Sequence, residues 1–364
     1  MIRTQAWVLH PAGRPGEAGR LVEEGFAFAE PSDDEVLVRP LFGCWEGNME
    51  HALRRSPLDL CAARGEPRVV IGNAGVVEVV QPGAVVAGLA AGDRCVVFCN
   101  GELDAHGYPE RIYAYDAPGT IGVLARLTKL KARQLIRLPA DSRIETTRWA
   151  GFSLRYITAW ANWRVALACW RSQMDDEPPS RADVLAWGGG VGLAECSLAL
   201  LAGHPAALIA SRSARLAMIE RAGLVAIDRR RFAEGAFEAD FLRAVHDCTE
   251  GRRAAIFVDN IGAHYRSTLK ALARQGVLAT SGWKQGLTFP VVRASECIER
   301  HLHVYTHYAR RAEGEAAVAF AEAHGWAPPA PATVWSWDDV PALAEAYAAG
   351  EIDDYFPIFS INTP

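Results

Sequence analysis

A run of glycines between an apolar strand and an apolar helix constrains this chain more than any other feature. Val184-Leu185-Ala186-Trp187 reads as a short buried strand, Gly188-Gly189-Gly190-Val191-Gly192 as a tight turn, and residues 193–201 as a helix. Such a turn presents several backbone N–H groups at the positive end of a helix, where a Cβ would obstruct an approaching phosphate. The segments that follow keep the alternation. Strand 207–210 leads to helix 214–222, strand 255–258 ends at Asp259, and strand 277–280 ends at Ser281-Gly282. Strands alternating with helices build a parallel sheet covered on both faces, which predicts a doubly wound Rossmann-type half.

The dinucleotide fingerprint is Gly-x-Gly-x-x-Gly. Read back from Gly192, this chain has Trp187-x-Gly189-x-x-Gly192, so the later two glycines match and Trp187 stands at the first position. About 20 residues on, NAD-binding chains carry an acid for the ribose hydroxyls. Here Ala210-Ser211-Arg212-Ser213 stands, with Arg215 close behind. A guanidinium and two hydroxyls suit a 2′-phosphate, and no acid is at hand for a 2′-hydroxyl, so the expected cofactor is NADPH. The bland alternative makes Ser211 or Ser213 a helix N-cap. Asn260, Ser281 and Gly282, just beyond the later strands, join the cofactor set, with Trp283-Lys284 beside the nicotinamide or in an ordinary strand-end turn.

The first third has a different texture. Met1 to Val8, Glu35-Val36-Leu37-Val38-Arg39-Pro40, Val69-Val70-Ile71, residues 75–80 and residues 94–98 read as short strands, punctuated at Pro82-Gly83 and Gly92-Asp93. They predict a small barrel-like β domain, with a polar, irregular insertion over 100–120. At Trp149 long apolar-periodic segments begin, and Pro178-Pro179-Ser180 break the helix before the cofactor strand. A length of 364 residues suits two domains. The expected division is 1–148 completed by 325–364, and 149–324.

A net charge of −5 gives no general reason to bind nucleic acid or an anionic membrane, and Arg229-Arg230-Arg231 reads as a solvated surface. Gly203, His204 and Pro205 interrupt the one apolar region near 198–209, so no membrane span is expected. Eight scattered cysteines without a Cys-x-x-Cys pair, behind an N-terminus lacking a signal sequence, fit free thiols in a reducing cytoplasm.

Gly72-Asn73-Ala74-Gly75-Val76-Val77 is similar to the Gly-His-Glu-x-x-Gly segment of the medium-chain dehydrogenase/reductases, and Ala91-Gly92-Asp93-Arg94-Cys95-Val96-Val97 to their Gly-Asp-Arg-Val strand. Within that superfamily the chain resembles crotonyl-CoA carboxylase/reductases and related enoyl-thioester reductases. The segments 111–118 with 132–139, Val184-Leu185-Ala186-Trp187-Gly188 and Ala226-Ile227-Asp228-Arg229 carry this likeness. The resemblance implies a GroES-like β-rich domain joined to the Rossmann half, a homodimer, and a small-molecule substrate, thioester-linked in the nearest relatives. Those relatives hold carbon dioxide with a Phe, a Glu, an Asn and a His. Here Tyr115-Asp116 is the nearest pair, Asn48 the candidate Asn, and His303 or His307 the candidate His, which does not support carboxylation.

Zinc-dependent members need a Cys, a His beside an acid, and a further Cys or Asp. Cys44 stands near the first ligand, but Asn73-Ala74 replaces the His-Glu pair, so no metal is expected. A rival site is His301, His303 and His307, the first two sharing a face if that stretch is a strand. The expected reaction is hydride transfer from NADPH to a polarised enone or enoyl thioester. Its alternatives are oxidation of an alcohol or saturated bond, and a non-catalytic nucleotide-binding role. Trp45, Asn48, Asn73, Asp116 and Tyr156 are the catalytic candidates. Their structural alternatives are turn formation for Asn73 and Asp116 and core packing for Tyr156, as for Trp160, Trp163, Trp170, Trp283 and Trp326.

Overall fold

The computed structural model describes residues 1–14, 17–172, 180–282, 288 and 290–362; Pro178-Pro179 and Trp283-Lys284 lie outside the described residues. Contacts divide the chain into a first unit, Met1–Leu154 with Arg310–Pro364, and a second, Arg155–Ala309. Residues 149–154 and 310–324, assigned on the sequence to the Rossmann half, thus pack with the first unit. Aromatic contacts explain this: Phe152 meets Trp149 edge-on at 4.8 Å and Trp326 at 5.5 Å, and Phe320 lies 5.9 Å from Trp326.

The first unit opens with an antiparallel ladder of β1 (Ile2–His10) and β2 (Arg20–Phe28). Then come β3 (Glu35–Cys44), α1 (Gly47–Arg54), α2 (Leu60–Arg64), β4 (Gly75–Pro82), β5 (Arg94–Val97), β6 (Asn100–Leu103), β7 (Pro109–Ile112), β8 (Thr128–Lys131), β9 (Leu135–Arg137) and α3 (Thr146–Phe152). Strands β3, β4 and β5 alternate branched residues toward a core that includes Val36, Val38, Val77, Val79, Val97 and Trp45. Two expectations change here. Val69-Val70-Ile71 is buried and forms an isolated bridge, Leu9 to Val69, with backbone bonds from Gly122 and Leu124 to Val70 and Ile71, but it is not a regular strand. The insertion over 100–120 holds the hairpin of β6 and β7, whose short strands, buried at Asn100 and Gly101 and part-exposed elsewhere, lack an apolar alternation.

The second unit runs α4 (Arg155–Arg171), β10 (Val184–Trp187), α5 (Gly190–Leu201), β11 (Ala206–Ala210), α6 (Ser213–Arg221), β12 (Val225–Asp228), α7 (Phe237–Cys248), β13 (Ala254–Val258), α8 (Tyr265–Ala271), β14 (Leu272–Ala279) and β15 (His303–Tyr305). The six strands are parallel in the order β12-β11-β10-β13-β14-β15. Every residue of β10, β11 and β13 is buried, as a sheet covered on both faces requires. The strand order reverses between β10 and β13, and that switch point is where open α/β sheets leave a crevice at their carboxyl ends.

The chain then returns to the first unit with α9 (Arg311–His324), β16 (Val334–Trp335), α10 (Val340–Ala348) and β17 (Ile358–Ser360). β17 pairs antiparallel with the end of β3, Ile358 against Cys44, completing a seven-stranded sheet.

Candidate functional site

The glycine turn lies at the switch point, and its glycines differ in what they permit. A Cβ on Gly188 would stand 2.7 Å from the Ile209 carbonyl oxygen, and one on Gly192 would stand 2.9 Å from that of Trp187. Both positions therefore need glycine so that strand and helix can approach closely. A Cβ on Gly189 would meet nothing within 4 Å. Gly189 caps α5 with extended backbone, so the helix N-terminus opens onto free space there. Gly190 and Val191 form the first turn of α5, whose leading N–H groups have no partner inside the helix. That cradle fits a pyrophosphate. Trp187 turns away from it, stacked on Phe241 at 4.9 Å, with its indole N–H donated to Thr268 Oγ1 at 2.7 Å.

At the end of β11, Ser211 is exposed and Arg212 is the N-cap of α6 without a side-chain cap bond, so neither serine caps through its hydroxyl. Ser213 instead accepts a hydrogen bond from Arg230 Nη1 at 3.0 Å. The sheet also supplies an acid that the sequence reading had excluded. Asp228 lies opposite Ala210 in the β11–β12 register. Arg230 grips it with Nε at 2.9 Å and Nη2 at 2.8 Å, and that ion pair holds the Asp228 carboxyl below its usual range. Arg230 thus ties β12 to the start of α6. The run Arg229-Arg230-Arg231 is more than a solvated surface, since Arg229 also lies over the Phe237 ring at 5.9 Å. Arg215 follows within the first turn of α6.

Beyond β13, Asp259 Oδ1 accepts the backbone N–H groups of Ile261 at 3.0 Å and Gly262 at 2.8 Å. Asn260 Oδ1 accepts from Ser281 N–H at 2.6 Å and Ser281 Oγ at 3.3 Å, so the loops after β13 and β14 are joined, with Gly282 beside them. Asn260 Nδ2 is buried and has no hydrogen-bond partner among the described residues.

In the first unit the Cys44 N–H donates to the Ala74 carbonyl at 3.1 Å, which sets Asn73-Ala74 against Cys44-Trp45. Asn48 follows as the second residue of α1. Trp45 is fully buried, and Asn73 is 1% exposed. Neither Asn73 Nδ2 nor Oδ1 has a hydrogen-bond partner among the described residues. The sequence reading missed Ser153, whose hydroxyl donates to Val97 O at 2.7 Å and accepts from Gly75 N–H at 3.1 Å, fixing the segment after Asn73. Asp116 Oδ1 accepts from Ile112 N–H at 2.6 Å and so closes the turn after β7. Tyr156 is the second residue of α4 in the second unit and is 2% exposed.

Among the described residues no three His, Cys, Asp or Glu side chains gather closely enough to hold a metal ion. His301 has a left-handed backbone, φ 51°, and precedes β15, so it does not share a strand face with His303. Burial pushes the Cys95 and Cys99 thiols up to about 12.

No protein-family model matches the chain. No curated protein matches its sequence. Solved structures do match in fold. A crotonyl-CoA carboxylase/reductase superposes with a TM-score of 0.81 at 19% identity, over 100% of this chain and 89% of that one. Another, solved in complex with NADP, gives 0.82 at 19% identity over 99% and 95%. A thermostable alcohol dehydrogenase from Pyrobaculum aerophilum gives 0.76 at 18% identity over 99% and 100%. The chain therefore has the fold shared by crotonyl-CoA carboxylase/reductases and alcohol dehydrogenases, a β-rich unit interrupted by a six-stranded parallel sheet.

Proposed function

We propose that this chain is an NADPH-dependent reductase that passes hydride, without a metal, to a polarised unsaturated small molecule such as an enone or an enoyl thioester. One observation carries the reading: the open Gly189 cradle at the switch point stands beside a strand end armed with Ser211, Arg212, Ser213 and Arg230. The fold-mate solved with NADP lends support. When bound, NADPH supplies the hydride.

Each residue then has a defined task. The N–H groups opening α5 hold the pyrophosphate, and Ser211, Arg212, Arg215 and Arg230 hold the 2′-phosphate through charge-assisted hydrogen bonds. Asp228, already taken by Arg230, is withheld from a 2′-hydroxyl. Asn260 keeps Ser281 and Gly282 in place and has an unspent amide donor for the cofactor. Asn73 Nδ2 donates to the acceptor's carbonyl oxygen, where negative charge develops during transfer. That neutral donor does the work a Lewis acid would do, and the carboxamide needs no metal. Asn48 stands on the acceptor side of the neighbouring backbone, and Trp45, which has no exposure, supports that backbone from the core. Tyr156 holds a phenol proton for the carbon that becomes a carbanion. Asp116 shapes its turn. The working form in this reading is a cytoplasmic homodimer; among the described residues no helix is long and apolar enough to cross a membrane.

The test is nicotinamide oxidation by purified protein over a panel of enones and enoyl thioesters, with NADPH and NADH in parallel. Turnover with NADPH and little with NADH is expected. Absence of NADPH binding in a fluorescence titration overturns the reading. The likeness to an alcohol dehydrogenase favours a second reading, oxidation with NADP⁺, which product analysis in both directions separates from the first.

A further inference from the structure

We infer that Trp187 is a positioning residue that couples the phosphate turn to the loop beyond β13 through a hydrogen-bond relay that starts in the core; this rests on the NADPH reading above. The tryptophan stands where the dinucleotide fingerprint has its first glycine. Its ring packs into the core with Phe241 and Phe257 at 4.9 and 5.9 Å, and an apolar ring could do that equally well. The indole N–H does something more. It donates at 2.7 Å to Thr268 Oγ1, a side chain with no exposure. The single hydroxyl proton of Thr268 faces two acceptors, Asp259 Oδ2 at 3.3 Å and the His264 carbonyl at 3.1 Å.

Asp259 is itself buried, and its other oxygen accepts the N–H groups of Ile261 and Gly262. The next residue, Asn260, holds the Ser281 backbone and hydroxyl. With the Thr268 proton directed at Asp259, hydrogen bonds joined by the Asp259–Asn260 peptide link run from the last residue of β10, through α8, to the loops after β13 and β14. These elements flank the switch point on both sides. The bonds from Trp187 to Thr268 and from Thr268 to Asp259 are buried in low dielectric, and so are stiff and costly to leave unmade, while those further along are partly buried. The relay fixes the spacing between the turn that takes the pyrophosphate and the loops that meet the rest of the dinucleotide. A first glycine gives a tight bend and no such tie.

The relay predicts a ligand-dependent defect. Thr268→Val removes the acceptor of the indole N–H and the donor to Asp259, and Trp187→Phe removes the indole donor while keeping a stacking ring. Dissociation constants are measured by fluorescence titration for NADPH, which spans both ends of the relay, and for adenosine 2′-monophosphate, which reaches neither the turn nor the loop beyond β14. Both variants are expected to weaken NADPH about tenfold, with adenosine 2′-monophosphate held within about twofold. Thr268→Ser, which restores the hydroxyl, should return NADPH binding to within about twofold of the parent. Equal weakening of both ligands means general loosening and overturns the inference, as does unchanged NADPH binding in either folded variant. If Thr268→Val fails to fold, Trp187→Phe and Thr268→Ser decide alone. Failure of the parent protein to bind NADPH would instead overturn the reductase reading, so the two failures are distinguishable.

Discussion

Asn73 is buried with both ends of its carboxamide unsatisfied among the described residues, a costly arrangement that folding alone does not explain. An unpaired buried amide costs roughly 1–3 kcal/mol. Asn73→Leu, of similar volume and without polar atoms, is therefore expected to stabilise the protein by about 1–3 kcal/mol in denaturant unfolding. The same change should lower kcat by roughly 10²–10³, the usual loss of one oxyanion donor, with NADPH affinity unchanged. A destabilised Asn73→Leu with normal kcat would make the residue a plain turn former. Arg230 gives the second prediction at this scale. Arg230→Ala removes a 2′-phosphate donor and releases Asp228 to hold a ribose hydroxyl. NADPH should weaken by roughly 10–100-fold and NADH should tighten, read as paired dissociation constants. Unchanged preference would show that Arg212 and Arg215 suffice. The residues of this corner were partly legible in the sequence. Ser211 and Arg212 lie at the expected distance from the turn, whereas Arg230 and Asp228 reach the same place from the next strand, a proximity that only the sheet register creates. Ser153 left no sequence signal either, since it acts from α3's end on a segment far away in the chain.

Helix α5 carries the glycine turn at one end and a buried acid near its middle. Glu195 has no exposure, and its Oε1 accepts from Asn162 Nδ2 of α4 at 2.9 Å. Burial pushes its pKa from 4.5 to about 8, against a smaller downward pull from Asn162. Between these values the folded protein keeps a proton that the unfolded chain has released. Stability from this group is therefore complete below about pH 4.5 and falls as pH climbs through about 8, a loss of roughly 3–5 kcal/mol in all. Glu195→Gln mimics the protonated acid and should remove that slope, so denaturant unfolding near about pH 8.5 should favour the variant while the two agree below about pH 4.5. Parallel pH dependence in both proteins would show that the carboxyl is ionised in the fold. Strands β10, β11 and β13 of this unit were readable because strands buried on both faces are continuous apolar runs, as in Ala206–Ala210 and Ala254–Val258, whereas the partly exposed edge strand β12 and helices α7 and α8 were not read. Arg20–Phe28, Asn100–Leu103 and Pro109–Ile112 escaped because they are edge or two-stranded elements with mixed, half-exposed residues, whose pairing partner rather than their own pattern makes them strands. Val69-Val70-Ile71 misled for the opposite reason, apolar burial with irregular backbone bonds to Leu9, Gly122 and Leu124 in place of a regular strand ladder.

At the scale of the whole molecule, the two units differ in how the chain builds them. The second, Arg155–Ala309, is one uninterrupted segment, and all six strands of its sheet are its own. Its core of Trp187, Phe241, Phe257, Leu269 and Leu278 draws on β10, α7, β13, α8 and β14, all within that segment. The first unit is discontinuous. β17 from the chain's end covers the edge of β3, pairing Ile358 with Cys44, and Phe359 lies fully buried against Gly43. A domain with its own closed set of strands and its own core has what independent folding requires, and one lacking a strand over a hydrophobic edge does not. The fragment 155–309 is therefore expected to fold alone with a cooperative thermal transition. Since the turn, the strand-end arginines and the Asn260–Ser281 link all lie within it, it should bind NADPH within about tenfold of the whole chain. Saturating NADPH at about 100 times its dissociation constant should add about 2.7 kcal/mol to its stability. The fragment 1–154 alone should stay unfolded or aggregate, and adding residues 310–364 through a short linker should rescue it by restoring β17. A folded 155–309 that does not bind NADPH would mean that the cofactor needs residues of the first unit to be held at all. A folded 1–154 would mean that β17 is dispensable to the sheet it completes.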